Sequence, residues 1–344
     1  MSVVYCSPPR IIKACTFSAY KFQKRVISSH SSYKGNPLVL ERMKNDSKLC
    51  RQYMPLSKYV VLHDRKYLVR STADNNLQLS FKTFSDIKPE NVSSSVLLSA
   101  SDHSAIFGVS VKEISDLMNQ SDVLIEPRPA LFSLCEEDLN LATMSLNLLQ
   151  WQVDNTYCSK CCSKLQYHTS GRSCKCTRCN LNYFPRYNPV VIMLVICRDY
   201  CLLGHNKNFP SHMFSALAGF IDVGETMEQA VVREVYEEVG IHLDVSNVKY
   251  MKSDFWGGFR RNYSPELMLG CIAFIEKTQD PQCSDEILDA KWFHKKDIGR
   301  ALKNTTSDKS RHLHVLEDGS CLQVPPAFST AHQLMKTWCF KSVV

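Results

Sequence analysis

The 344-residue sequence contains no run of eighteen apolar residues, which excludes a membrane-spanning helix of ordinary length. It shows no internal repeat, and so is not an array of stacked units. No acidic residue occurs before Glu41, whereas Arg10, Lys13, Lys21, Lys24, Arg25 and Lys34 all do. Those cations account for most of the formal charge of +7, so the remainder is nearly neutral and gives no argument for polyanion binding. The same stretch lacks the continuous apolar core of a secretory signal. Residues 1–45 are basic and serine-bearing, with Ile11, Ile12, Phe17, Tyr20 and Phe22 interspersed, the composition of a mitochondrial transit peptide. That predicts a matrix address; the alternative is an unaddressed basic tail on a cytoplasmic protein. The terminal Lys341-Ser342-Val343-Val344 is not a peroxisomal ending.

What is present is a globular composition, 44% hydrophobic and 22% charged, with room for two sizeable cores. The sixteen cysteines are scattered, and Cys197 and Cys271 lie in apolar runs, which favours reduced thiols over a disulfide framework. Residues 46–152 alternate short apolar runs such as Tyr59-Val60-Val61-Leu62 with polar and serine-rich breaks, predicting a small α+β domain. A helix leads out of it through Leu139, Ala142, Leu146 and Leu149.

Residues 153–186 hold Cys158-Ser159-Lys160-Cys161, fourteen residues, then Cys176-Thr177-Arg178-Cys179. Two such knuckles place four thiolates tetrahedrally around one ion, which predicts a structural zinc ribbon with no open coordination position. Cys162 and Cys174 are possible substitutes within the tetrad. His168, between the knuckles, is expected on the surface.

Residues 187–344 read as α/β. Pro189 to Cys197 is a continuous apolar run suited to a buried central strand, and further strands are expected at 201–204, 267–275 and 290–293. Two helices, at about 226–239 and 326–341, complete an α/β/α sandwich around a mixed sheet. The first of them carries the chemistry. Thr226 and Gln229 form a capping-box pattern and Gly240 is a natural stop. Glu234, Glu237 and Glu238 stand at i, i+3 and i+4 and so share one face. At about 100° per residue, Glu234 and Glu238 fall within the inward arc of Met227, Ala230, Val231 and Val235. Carboxylates turned inward are costly unless a cation joins them, and oxygen-only ligands suit Mg²⁺ or Mn²⁺.

The segment reads Gly219, five residues, Glu225, seven residues, then Arg233-Glu234-Val235-Tyr236-Glu237-Glu238-Val239-Gly240-Ile241. It resembles the Nudix box at every fixed position, and the resemblance implies a hydrolase that cleaves a nucleoside diphosphate linked to another group. By that likeness Glu234, Glu237, Glu238 and the later Glu286 bind the catalytic ions, Glu237, Glu238 and Glu234 form the catalytic set, and Glu225 pairs with Arg233 at the helix entry. Gly219 and Gly240 complete the box.

A zinc ribbon directly ahead of such a box, followed by Tyr183-Phe184-Pro185 and a terminal Pro325-Pro326 with Ala331-His332-Gln333-Leu334, is similar to the NADH pyrophosphatase subfamily, including its mitochondrial-type animal members. The likeness runs from about Leu148 to Trp338. It implies hydrolysis of NADH or NAD⁺ to nicotinamide mononucleotide and AMP, a homodimer, and substrate contacts from Phe184, Ala218, Asp254, Trp256 and Ala331. One stretch departs. Where the subfamily has Ser-Gln-Pro-Trp-Pro-Phe-Pro-x-Ser, this chain has Ser253-Asp254-Phe255-Trp256-Gly257-Gly258-Phe259 through Ser264, with Arg260 and Arg261 as added phosphate candidates. Glycines in place of prolines raise the entropy lost on gripping a ligand, so ADP-ribose, FAD, coenzyme A and the NAD cap of RNA stand as alternative substrates. A silent zinc-ribbon binding protein is the alternative of another class.

Overall fold

The computed structural model describes residues 35–72, 74, 76–257, 264–307 and 313–341. The basic segment 1–34 and the loop arginines Arg260 and Arg261 lie outside them. The described residues divide into two compact units, one running up to Arg186 and including Gly257, the other comprising Tyr187–Trp256 and the residues from Ser264 on. No helix among them is long and apolar enough to cross a membrane.

The first unit is built on a seven-stranded sheet. Its centre is Lys58–His63, parallel to Ala105–Val111 and antiparallel to Lys66–Ser71. Strand side chains alternate, so Tyr59 and Val61 enter one core while Val60 and Leu62 enter another. Burial on both faces explains why this stretch reads as an unbroken apolar run. One face is covered by the helices Pro37–Asn45 and Ser47–Tyr53, the other by the long helix Glu136–Asp154. The first of these corrects the sequence reading, which placed residues up to 45 in a leader. Asn36 caps that helix through the amides of Leu38 and Val39, and Leu40 and Met43 lie in the core, so the fold begins before residue 45.

The ribbon follows as three short strands, Leu165–Tyr167, Cys174–Cys176 and Asn182–Tyr183. Its tip seals the sheet edge at Val92–Ala100, where unpaired backbone groups would otherwise face solvent. The Leu97 amide donates to the Ser170 carbonyl at 2.8 Å, Arg172 Nε donates to the Leu97 carbonyl at 2.7 Å, and Gln152 Nε2 donates to the carbonyls of Ser95 and Gly171 at 2.9 and 3.0 Å. His168 is not a surface residue as expected. It is half-buried, with Nε2 2.8 Å from Ser47 Oγ and Nδ1 2.8 Å from Ser170 Oγ.

The second unit centres on a six-stranded mixed sheet in the order Val248–Trp256, Glu266–Phe274, Asn188–Cys197, Tyr200–Asn206, Ile287–His294, with Leu217–Phe220 added to Asn188–Cys197. Helix Met227–Val239 covers one face through Ala230, Val231, Val235 and Val239 against Val191, Met193 and Val195. Helices Lys295–Ser307 and Thr330–Phe340 cover the other against Ile192, Leu194 and Ile196. The result is the expected α/β/α sandwich with one more helix than the sequence reading gave. Strand Val248–Trp256 was also missed there. It is an edge strand with little buried surface, so its Lys, Ser and Asp positions mask the alternation.

Candidate active site and metal centre

Helix Met227–Val239 is fixed at both ends. Thr226 Oγ1 accepts from the Gln229 amide at 3.3 Å while Gln229 Oε1 accepts from the Thr226 amide at 2.8 Å. Gly240 closes the helix in the left-handed region at φ 67°, which favours glycine. Between these stops, the helical repeat that buries Val231, Val235 and Val239 carries Glu238 inward to 9% exposure and leaves Glu237 exposed.

Arg233 organises the acids. Its Nε and one terminal nitrogen donate to the two oxygens of Glu225 at 2.6 and 2.8 Å, a bidentate fork. The other terminal nitrogen reaches Glu234 Oε1 and Glu237 Oε2, both at 2.9 Å, and the Phe220 carbonyl is bound at 2.8 Å. Arg233, then the Asp222 amide, holds the Glu225 carboxyl down to about 2. Glu225 is therefore a fixed anion that orients the arginine.

Glu234 and Glu238 are pushed the other way. Burial raises the Glu234 carboxyl, with Arg233 opposing. Glu238 is pushed up to about 8, first by burial and then by Glu234, with Glu286 and Glu237 adding and the Ala218 amide opposing. Its Oε2 is buried without any hydrogen-bond partner among the described residues. An orphaned carboxylate oxygen among further carboxylates fits a hard divalent cation, which would satisfy that oxygen and cancel the repulsion. Glu286 is exposed on the loop before Ile287–His294 and contributes its charge from there.

A pH effect follows. In the cation-free protein the folded-state value of Glu238 lies above the ordinary 4.5, so the folded chain holds the proton more tightly than the unfolded one. That stabilisation is complete below about 4.5 and is lost as pH rises through about 8. Zinc-loaded protein prepared without Mg²⁺ or Mn²⁺, and without a chelator that would strip the ribbon, is thus expected to lose thermal stability between pH 5 and 9, and Mg²⁺ to restore it. Glu238→Gln should flatten the profile; an unchanged profile would locate the cost in another group.

Gly219 leaves room for this arrangement. A Cβ there would lie 1.8 Å from Glu234 Cδ and 2.1 Å from both of its oxygens. Gly219→Ala must displace that carboxylate. Because misplacing a reacting group by about 1 Å costs about 10²-fold, the variant is expected to lose at least that much turnover while keeping its circular dichroism spectrum.

In the ribbon, one thiol sulfur from each of Cys158, Cys161, Cys176 and Cys179 lies within 4.8 Å of the other three. Among the described residues this is the one group of three or more potential ligands drawn in so closely; the carboxylates are spread around Arg233. The amides of Arg178 and Cys179 both donate to Cys176 Sγ at 3.4 Å. Tyr183 donates its hydroxyl proton to Cys158 Sγ at 3.2 Å and accepts from the Ser159 amide at 3.0 Å. The donors fit Zn²⁺, with all four positions filled by protein. Cys162 is exposed and Cys174 is buried in its strand, and neither enters the tetrad.

The residues singled out for substrate contact are placed less uniformly. Phe184 is 61% exposed in the first unit. Ala218 is half-buried on Leu217–Phe220, beside the box. Asp254 is already engaged, accepting from Thr330 Oγ1 at 3.0 Å and pairing with Lys252 Nζ at 2.7 Å. Trp256 lies nearly parallel to Phe328, centroids 6.1 Å apart at 18°. Ala331 is 2% exposed, its methyl packed in the core with Leu334 and Met335. Phe328 and Thr330 were not found from sequence. No short-range pattern marks them, because their partners lie some seventy residues earlier in the chain.

The NUDIX domain family model matches residues 186–316. The chain carries a Nudix domain. Over 332 residues it is 29% identical to the mouse protein named NAD(P)H pyrophosphatase NUDT13, mitochondrial, covering 90% of this chain and 91% of that one. Human NUDT12, an NAD-capped RNA hydrolase, is 36% identical over 62% of this chain and 44% of its own length. NudC of Pseudomonas aeruginosa, also an NAD-capped RNA hydrolase, is 39% identical over 42% of this chain and 49% of its own length. The chain thus spans most of the mouse relative and under half of the other two. In the Nudix domain the box lies on Gly219–Ile241, where the acids and Arg233 meet.

Proposed function

We propose that the protein hydrolyses the pyrophosphate bond of NADH or NAD⁺ to nicotinamide mononucleotide and AMP, with Mg²⁺ or Mn²⁺ held by Glu234, Glu237, Glu238 and Glu286. The observation that carries the reading is the buried, unpartnered Glu238 Oε2 beside Glu234 on the Nudix helix. The similarity to NUDT13 along nearly the whole chain supports the substrate. When bound, a divalent ion neutralises phosphate charge and acidifies a water. The chain does the rest. Glu225 and Arg233 hold Glu234 and Glu237 in place, and Glu238, whose buried Oε2 has no partner among the described residues, takes the proton from the attacking water. A new P–O bond forms between one phosphorus and the water oxygen, the bond from that phosphorus to the bridging oxygen breaks, and the two monophosphates leave.

The four-cysteine site, closed by its own ligands, holds the ribbon and takes no part in the cleavage. A homodimer and a mitochondrial address belong to the same reading, the first checked by light scattering and the second by import of a full-length fusion. The NAD cap of RNA is the second reading, supported by the names of human NUDT12 and NudC, and it breaks the same bond.

Purified protein with Mg²⁺ or Mn²⁺ should be offered NADH, NAD⁺, ADP-ribose, FAD, coenzyme A and NAD-capped RNA, with products identified by mass. Nicotinamide mononucleotide and AMP are the expected products, formed fastest from NADH or NAD⁺. A faster rate on ADP-ribose, FAD or coenzyme A would overturn the nicotinamide assignment. No product from any of them would leave a silent binding protein.

A further inference from the structure

Averaging over the chain hides where its cations sit. From Asn155 to Arg186 there is no Asp or Glu, yet Lys160, Lys164, Arg172, Lys175, Arg178 and Arg186 all fall in that span. Four thiolates on one Zn²⁺ subtract two charges, which leaves the ribbon at about +4. Arg172 is turned into the fold, on the carbonyls of Leu97 and Leu98. The other five are exposed, and among the described residues none of their side chains has an ion-pair or hydrogen-bond partner.

Strand register aligns two of these cations with an aromatic ring. Gln166 opposes Lys175, Lys175 opposes Asn182, and Lys164 opposes Tyr157. Opposed residues on antiparallel strands project from one face, as do residues two apart on a strand. Tyr157, Lys164, Gln166, Lys175 and Asn182 therefore share the outer face of the ribbon, while Leu165, Cys174 and Cys176 are buried on the inner one. All five are exposed, Tyr157 at 60%.

We propose that this outer face binds single-stranded nucleic acid. Ammonium groups suit the phosphates, an exposed ring suits stacking on an unpaired base, and the Gln166 and Asn182 amides donate to and accept from base edges or a 2′-hydroxyl. A duplex hides its bases and leaves the ring unused. An acidic protein surface would use the lysines but neither the ring nor the amides. The inference goes beyond the hydrolysis proposed above and does not depend on it, since it concerns binding and a different part of the chain.

The test is fluorescence anisotropy on the full zinc-loaded chain, at several salt concentrations. The probes are a labelled twelve-nucleotide RNA, the DNA of the same sequence and the corresponding RNA duplex. A single strand is expected to bind at least fivefold more tightly than the duplex, and the RNA and DNA arms tell which of the two the face takes. Lys164→Glu with Lys175→Glu should weaken binding at least tenfold and reduce the salt slope by about 1.4, two contacts at about 0.7 each. Tyr157→Ala should weaken it about tenfold with no change in slope, because stacking releases no counterions. Zinc content and thermal midpoint, unchanged in all variants, show that the ribbon still folds. Equal affinity for the duplex, no binding at about 50 mM salt, or wild-type affinity and slope in the double variant would overturn the proposal.

Discussion

Glu238→Gln and Glu237→Gln are each expected to lower turnover of NADH by about 10³-fold or more, with the fold intact. Glutamine keeps the shape and one oxygen but removes the charge that attracts a divalent ion. At position 238 the substitution acts on a buried oxygen with no partner among the described residues, so none of those stands in for a cation there. Stability should not fall with activity: the variant escapes the burial of a carboxylate that is pushed up to about 8, so its thermal midpoint above neutral pH should equal or exceed that of the cation-free parent. At position 237 the change also removes one acceptor of Arg233, which keeps Glu225 and Glu234. Exposed as Glu237 is, that ion pair contributes little to the fold. Steady-state rates over a range of Mg²⁺ and Mn²⁺ concentrations, with circular dichroism as control, give the measurement. Activity within tenfold of the parent in both variants would remove the site.

Loss of a zinc ligand should have the largest effect on the fold. Cys176→Ser is expected to take bound zinc from one ion per chain to almost none, measured by plasma mass spectrometry. It should also lower the thermal midpoint of the first unit by about 10 °C or more. The ribbon has few apolar side chains of its own, chiefly Leu165 with the cysteines and the flanking Trp151, Tyr167 and Tyr183, too few to hold three short strands. Structural zinc in comparable small modules contributes about 10–16 kcal/mol, so the metal supplies most of the stability of the ribbon. The damage should spread from the ribbon, because Ser170, Arg172 and Gln152 fill the backbone positions along Val92–Ala100. Hydrogen exchange is expected to accelerate first at the amides of Cys176 and Leu165, then along Val92–Ala100. Unchanged zinc content in Cys176→Ser would exclude the tetrad.

Much of the candidate site could be read from residue spacing. Carboxylates at i, i+3 and i+4 on an amphipathic helix must share a face, and the apolar positions around them say which ones turn inward. The capping residues Thr226, Gln229 and Gly240 act within one turn, so they too could be read locally. Other parts could not. Residues 37–45 looked like leader because their neighbours upstream are basic, yet Leu40 and Met43 find their partners in strands far along the chain. Ala331 was grouped with substrate contacts by likeness alone, and the packing of its helix buries it.

By itself, then, the sequence determined a helix bearing three acids, a paired-cysteine metal ligand set and an α/β sandwich. All of these follow from the 3.6- and 2-residue periods and from ligand spacing, which are properties of neighbouring residues. Only the tertiary structure decided that Glu238 Oε2 has no partner, that Gly219 makes room for Glu234, and that Tyr157, Lys164 and Lys175 line up on one face. Each of those depends on strands and loops brought together over long stretches of chain, where the outcome is set by packing and register and leaves no local mark.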